Sequence, residues 1–188
     1  MKLDSIFKCA AGAILIILPW STVQAQRTIK EVTKSTNRAE DSKPNSPGVP
    51  PVFSIDSQFE KIMLLRFKYR TDLLAGLDSV VKAQNIRNAV ILAAAGSVCG
   101  YHVHVVSNNV FPSKNIYMKD PDAPADINNM NGYVIDGRVH VHITLADSEK
   151  AFGGHLEKGT EVFTFAIVTL GILPDSADLR RVDDKNYR

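Results

Sequence analysis

The sequence predicts an α+β domain in which a mostly antiparallel sheet carries one main helix on a face. Only one long stretch of the chain has apolar residues at helical spacing, whereas at least five shorter stretches are apolar or alternate in polarity, as strands do. The connections between consecutive strand-like stretches are short. Short connections favour antiparallel pairing, because parallel strands need long crossovers.

The helix is predicted over residues 71–84, after a strand-like segment at residues 61–69. Thr71 is the expected N-cap, and Asp72 stands in the first turn, where a negative charge is favourable. The apolar residues that follow fall on one helical face; they are Leu73, Leu74, Leu77, Val80 and Val81.

The remaining strands follow the helix. They are expected at residues 89–95, at 98–106 after a break at Gly96-Ser97, at 115–119 as a short strand within a loop, and inside 133–145. Gly153-Gly154 is expected to form a turn. Residues 161–170 are almost wholly apolar, which is typical of a central strand covered on both faces.

The first 25 residues have the pattern of a cleavable export signal. Lys2 and Lys8 give a positive start, an apolar run follows over residues 9–20, and Val23-Gln24-Ala25 offers the small residues that a signal peptidase recognises. A membrane anchor is the alternative, but this run has 12 residues and a spanning helix needs about 20. We therefore expect cleavage after Ala25 and a protein that works in the periplasm or outside the cell.

The rest of the chain divides into three parts. Residues 26–51 are polar and end in a proline-rich stretch, so we expect a disordered tether. Residues 52–174 are expected to form one folded domain, and residues 175–188 a loose polar tail.

The charge of the domain bears on its partners. Residues 52–188 carry 15 basic and 16 acidic side chains, a net charge of −1. Nucleic-acid binding needs a basic surface, because neutralising phosphates supplies most of the affinity. Arg66, Lys68 and Arg70 are too few to provide one, so nucleic acid is not the expected partner, although a local patch formed by assembly of several copies stays open.

The histidines are the residues most suited to chemistry. Side chains alternate across a strand, so His140 and His142 share one face while Val139, Val141 and Ile143 form the apolar face opposite.

His155 follows two glycines that would let the backbone turn back towards that face. Three imidazoles with an open fourth position are typical of reactive or ligand-binding zinc sites, so we predict a divalent transition metal, zinc first. A row of metal-free surface imidazoles is the alternative.

Several other residues are weaker candidates for the same site. His102 and His104 also share a strand face, but for this pair surface or interface imidazoles without a metal are expected. Asp136 or Asp147 could accept a hydrogen bond from a ligating imidazole, and Asp147 or Glu149 could act as a general base. Ser97 follows Gly96 as a nucleophile would, although a turn hydroxyl is the simpler interpretation.

Three stretches of the chain carry a resemblance to a known family. They are Ala-Gly-Ser-Val at 95–98, Asn-Gly-Tyr-Val-Ile-Asp-Gly-Arg-Val-His-Val-His at 131–142, and Ala-Phe-Gly-Gly-His-Leu at 151–156, before the closing apolar strand. Together they resemble the plants-and-prokaryotes-conserved (PPC) domain, prokaryotic branch, over about residues 63–173.

The resemblance implies an α+β domain that assembles as a homotrimer. It also implies that His140, His142 and His155 match the branch's histidine motif, a metal site near a subunit boundary. Plant members join this domain to AT-hook segments that bind DNA, and this chain has no Arg-Gly-Arg core of that kind.

Two functions from different classes follow. The first is an exported homotrimeric domain whose histidine site binds a metal or a small molecule, with no reaction identified. The second is a DNA-binding protein, as the plant members suggest.

Overall fold

The computed structural model describes residues 28–32 and 44–182, and its antiparallel sheet with one α-helix confirms the predicted fold class. The elements are β1 Thr28–Val32, β2 Lys61–Lys68, α1 Leu73–Ala83, β3 Ala89–Val106, β4 Asn115–Asp120, β5 Ala125–Ile135, β6 Arg138–Ala146, β7 Ala151–Leu156, β8 Glu161–Ile172 and a 3₁₀ turn at Leu179–Val182. The predicted export signal lies outside the described residues.

Strand β3 organises the sheet, because it pairs antiparallel with four other strands. Its first half pairs with β5 and β8, and its second half pairs with β4 and β7. Because β5 also pairs with β6, and β6 with β7, the strands β3, β5, β6 and β7 close into a ring. Beyond this ring, β2 pairs with β8 and β1 pairs with β4.

The core follows from alternation along these strands and from the apolar face of α1. On β6, Val141, Ile143 and Leu145 are buried while the residues between them are exposed. Leu73, Leu77 and Val81 of α1 belong to the same buried cluster. The helix begins one residue later than predicted: Asp72, not Thr71, is the N-cap, and its Oδ1 accepts a hydrogen bond from the Ala75 amide at 2.8 Å.

Gly96-Ser97 does not interrupt the strand, contrary to the prediction. Gly96 has a φ of 146°, and the pairing of β3 with β8 shifts register between Gly96 and Val98. A Cβ at Gly96 would collide with the backbone of Phe165 and Ala166. The glycine therefore permits a bulge and a close approach of β8 within one continuous strand.

The region predicted as a loop with one short strand contains two strands. The short strand is present as β4, but β5 was not predicted. The segment is rich in Asp and Asn, which are unfavourable in strands, and a bulge between Ile127 and Asn129 breaks its alternation. Asp136 and Gly137, with φ of 48° and 79°, connect β5 to β6 as a tight hairpin.

Gly153 and Gly154 lie inside β7, so the predicted turn is wrong. β7 fits between β6 and β3, and a Cβ on Gly153 would collide with the Ile143 backbone, while one on Gly154 would collide with the His104 backbone. The two glycines are thus required by close strand packing rather than by chain reversal.

Described residues from the predicted tether and from the predicted tail pack against the domain. β1 lies within the predicted tether and pairs with β4; its Thr, Ile and Val suit a strand. In the predicted tail, Ala177 and Leu179 are buried and form a second, smaller hydrophobic cluster with Ile135 and Leu173.

One face of β2 and β8 is left uncovered by residues 28–32 and 44–182, the part of the chain that the structure describes. Its large apolar side chains, here called the outer apolar face, are Ile62, Leu64, Phe163, Phe165 and Ile167. They alternate with residues that point into the core, such as Val162, Ala166 and Val168. The described residues therefore cover β8 on one face only, whereas the sequence predicted a strand covered on both faces.

Candidate metal centre

Three of the histidines form a row across three adjacent strands. His104 of β3 lies opposite His155 of β7, and His155 lies opposite His142 of β6. Directly opposite residues in antiparallel strands have Cβ atoms about 4.5–5.5 Å apart on the same face. The insertion of β7 between β3 and β6 therefore places the three imidazoles side by side, and His140 stands two residues before His142 on the same face.

The predicted triad of His140, His142 and His155 comes together. The ring centroids are 5.4 Å apart for His140 and His142, 4.8 Å for His140 and His155, and 5.3 Å for His142 and His155. One ligand nitrogen from each lies within 4.8 Å of the others. Zinc–nitrogen bonds of about 2.0–2.1 Å require tetrahedral nitrogens roughly 3.4 Å apart. Side-chain rotation of the exposed His140 and His142 can supply this difference, so the residues fit such an ion.

The environment keeps the imidazoles of His142 and His155 neutral by lowering their pKa values. Burial, followed by the positive charge that neighbouring His104, His140, His142 and Arg138 carry when protonated, lowers the pKa of His155 to about 3. Burial, followed by His104, also lowers the pKa of His142. A neutral imidazole keeps the lone pair with which a histidine binds metal, so both residues are available as ligands near neutral pH.

His104 and Glu157 extend the cluster beyond the predicted triad. The rings of His104 and His155 are 4.6 Å apart, and His104, His155 and Glu157 form a second group whose ligand atoms lie within 4.8 Å of one another. His104 Nδ1 lies 2.7 Å from Glu157 Oε1. Glu157 was not among the predicted site residues. The spacing His155-x-Glu157 could have indicated it, because this spacing puts the two side chains on one face of an extended chain.

His102 stays apart from both groups. Its Nδ1 lies 2.8 Å from the backbone oxygen of Lys158. Of the two histidines of β3, His104 therefore belongs to one of the two groups and His102 to neither.

The predicted accessory carboxylates have other partners. Asp136 pairs with Arg87 at 2.9 Å in the β5–β6 hairpin. Asp147 accepts hydrogen bonds from the Glu149 and Lys150 amides in the β6–β7 turn. Both are occupied in turns, and the carboxylate that the structure places next to an imidazole is Glu157.

Ser97 lies in an open groove of about 880 Å³. Its Oγ is 2.6 Å from Thr164 Oγ1, and Asp126, Asp147 and Glu149 also line the groove. None of the histidines lines this groove, so the structure separates Ser97 and Asp147 from the imidazole cluster.

The described part of the chain contains no helix that is both long enough and apolar enough to cross a membrane.

Comparisons with known proteins find one matching family and several solved structures with a similar fold. The sequence pattern of the Plants and Prokaryotes Conserved (PCC) domain, the family also abbreviated PPC, matches residues 55–174. No curated protein matches the chain at a significant level.

Three solved structures share the fold. A hypothetical protein from Salmonella cholerae-suis, also called Salmonella enterica, is 20% identical with a TM-score of 0.54, over 64% of this chain and 82% of that one. A metal-containing protein from Archaeoglobus fulgidus is 20% identical with a TM-score of 0.53, over 67% and 89%. A plant- and prokaryote-conserved protein from Pyrococcus horikoshii is 22% identical with a TM-score of 0.54, over 66% and 87%.

Proposed function

The chain belongs to the Plants and Prokaryotes Conserved domain family, and from this premise we propose that it is an exported, homotrimeric member that binds a divalent transition metal, zinc first, through His140, His142 and His155. The ion serves to bind a small-molecule ligand or is itself the bound species. The proposal names no reaction.

The convergence of the three imidazoles is the observation that carries this function. The three ligand nitrogens lie within 4.8 Å of one another, on a strand face where His140 and His142 are exposed. A three-histidine set leaves a position of the ion for water or a ligand. The fold shared with a protein described as metal-containing adds support.

The residues of the chain would have distinct parts in such a site. His155 is held between two strands and its pKa is lowered to about 3, so it offers a fixed and neutral nitrogen. His140 and His142 close on the ion from one strand. A bound zinc would supply Lewis acidity and lower the pKa of a coordinated water to about 7.

Metal content of purified variants tests the proposal. His142→Ala is expected to weaken zinc binding by roughly a hundredfold or more, because even the outer-shell partners of a ligating histidine are worth 10–100-fold in affinity. His102→Ala is the matched control, because His102 also lies on a strand face but outside the triad. Isothermal titration with zinc and plasma emission spectrometry measure the difference. A wild type that takes up no metal, or equal losses in the two variants, would overturn the assignment.

The outer apolar face supports assembly into a homo-oligomer. Phe163, Phe165 and Ile167 are 40–47% exposed in the single chain, and Leu64 beside them is 69% exposed. Large contiguous apolar patches on soluble proteins mark interaction surfaces. A second copy would cover the open face of β8, and three copies is the number that the family resemblance implies.

Export rests on the pattern of residues 1–25. Mass spectrometry of the protein recovered from the cell envelope is expected to give a chain that begins at Gln26. A chain that retains Met1 in that fraction would contradict cleavage.

Nucleic acid is not the proposed ligand. Residues 52–188 have a net charge of −1, which gives no bulk attraction for phosphates. Fluorescence titration with duplex DNA at physiological salt is expected to show no sub-micromolar binding. Tight, salt-sensitive binding would favour the DNA-binding alternative.

A further inference from the structure

His155 has groups able to bind a metal on both of its sides. On the β6 side stand His140 and His142, and on the β3 side stand His104 and Glu157. Each pair forms, with His155, a group whose ligand atoms lie within 4.8 Å of one another. The imidazole cluster is therefore larger than one three-histidine site, and His155 is common to its two halves.

The second half has the chemistry of a site in its own right. Its side chains are more enclosed than the exposed His140 and His142: 19% of the His104 side chain and 26% of that of Glu157 are accessible. His104 Nδ1 and Glu157 Oε1 lie 2.7 Å apart, so an ion bound to both takes the place of the proton between them, and that proton passes to solvent. Two nitrogens with one carboxylate oxygen are a ligand set that zinc and its neighbours accept, and the carboxylate offsets part of the charge of a dication.

We propose that His104, His155 and Glu157 form a second metal position that shares His155 with the triad. This inference rests on the proposed function, because it assigns a second location to an ion of the same class. A neutral imidazole has one lone pair, since its other ring nitrogen carries a proton. His155 therefore serves one ion at a time, and the two positions are alternatives for a single ion.

Cobalt(II) is the probe, because its visible absorption reports the ligands and plasma emission spectrometry counts the ions. Wild type is expected to bind one cobalt per chain. The double variant His140→Ala/His142→Ala is expected still to bind one, more weakly and with an altered spectrum, because a carboxylate replaces imidazole among the ligands. The double variant His104→Ala/Glu157→Gln is expected to keep one ion in the triad. His155→Ala is expected to lose cobalt altogether.

The outcomes separate this inference from the proposed function. If wild type and His104→Ala/Glu157→Gln bind cobalt but His140→Ala/His142→Ala binds none, the triad stands and the second position is overturned. Two ions per wild-type chain would also overturn it, because His155 would not be the shared ligand of one ion. A His104→Ala/Glu157→Gln variant without cobalt would instead contradict the triad. Circular dichroism shows whether each variant is folded. The His102→Ala variant shows how much cobalt binding changes when a histidine outside both groups is lost.

Discussion

Phe165→Glu is expected to dissociate the proposed homotrimer without unfolding the chain. Phe165 is 40% exposed in the single chain. A phenylalanine side chain of about 200 Å² therefore offers about 80 Å² to a neighbouring copy, worth about 2 kcal/mol at about 25 cal/mol per Å². The three copies together lose about 6 kcal/mol of association free energy, which lowers the association constant of the trimer roughly ten-thousandfold. The fold should survive, because Arg66 lies over this ring at 5.9 Å and can face the new carboxylate.

Light scattering after size exclusion, at micromolar concentration, measures the mass. The matched control is Val110→Glu, which places the same charge on a 66% exposed apolar residue in the β3–β4 loop, away from the outer apolar face. Wild type and Val110→Glu are expected to be trimers and Phe165→Glu a monomer with an unchanged circular dichroism spectrum. A monomeric wild type, or a trimeric Phe165→Glu, would refute the argument.

Three further changes test the packing of the fold and the environment of His155. Gly154→Ala places a Cβ against the His104 backbone and is expected to cost about 1–3 kcal/mol in the free energy of unfolding. Gly48→Ala, which meets only Ser46 Oγ at 3.8 Å, is its control in the same thermal melts. Asn88→Ala removes a buried side-chain donor that forms a hydrogen bond with the Ala177 oxygen at 2.8 Å. Chemical denaturation is expected to show that the free energy of unfolding falls by about 1–3 kcal/mol. An unchanged free energy of unfolding would contradict a stabilising role for this hydrogen bond. The pKa of His155 falls from 6.5 to about 3 on folding. The unfolded metal-free chain therefore binds protons more readily, and stability is expected to decrease as the pH falls from about 6.5 towards 3. His155→Gln should flatten this dependence in denaturant titrations at pH 7 and pH 5, and an unchanged slope would contradict the cause.

The sequence was informative wherever a pattern is local. Alternation alone predicted that His140 and His142 would stand opposite a buried apolar face, because side-chain direction in a strand depends only on position. The same rule could not show that His104 lies beside His155. That contact depends on β7 pairing with both β3 and β6, which is a property of register and topology.

The glycines show a second limit of sequence reasoning. Gly153-Gly154 suits a turn and also suits a strand that fits closely between two neighbours, and only the neighbouring backbones decide between them. β5 was hidden for a related reason. Its Asp and Asn residues have low intrinsic preference for strands, and its pairing with β3 and β6 overrides that preference.

The pairing of β2 with β8 has a consequence for when the chain can fold. Lys61 pairs with Ile172 and Lys68 with Phe165, so the partners are separated by 97 to 111 residues. A chain that emerges amino terminus first holds β2 without its partner until almost the whole domain has been made. Such non-local pairings also form slowly, because the long intervening segment must lose conformational entropy before the stabilising contacts can form. Synthesis therefore leaves a long interval in which the sheet is incomplete and β2 lacks the strand that it pairs with.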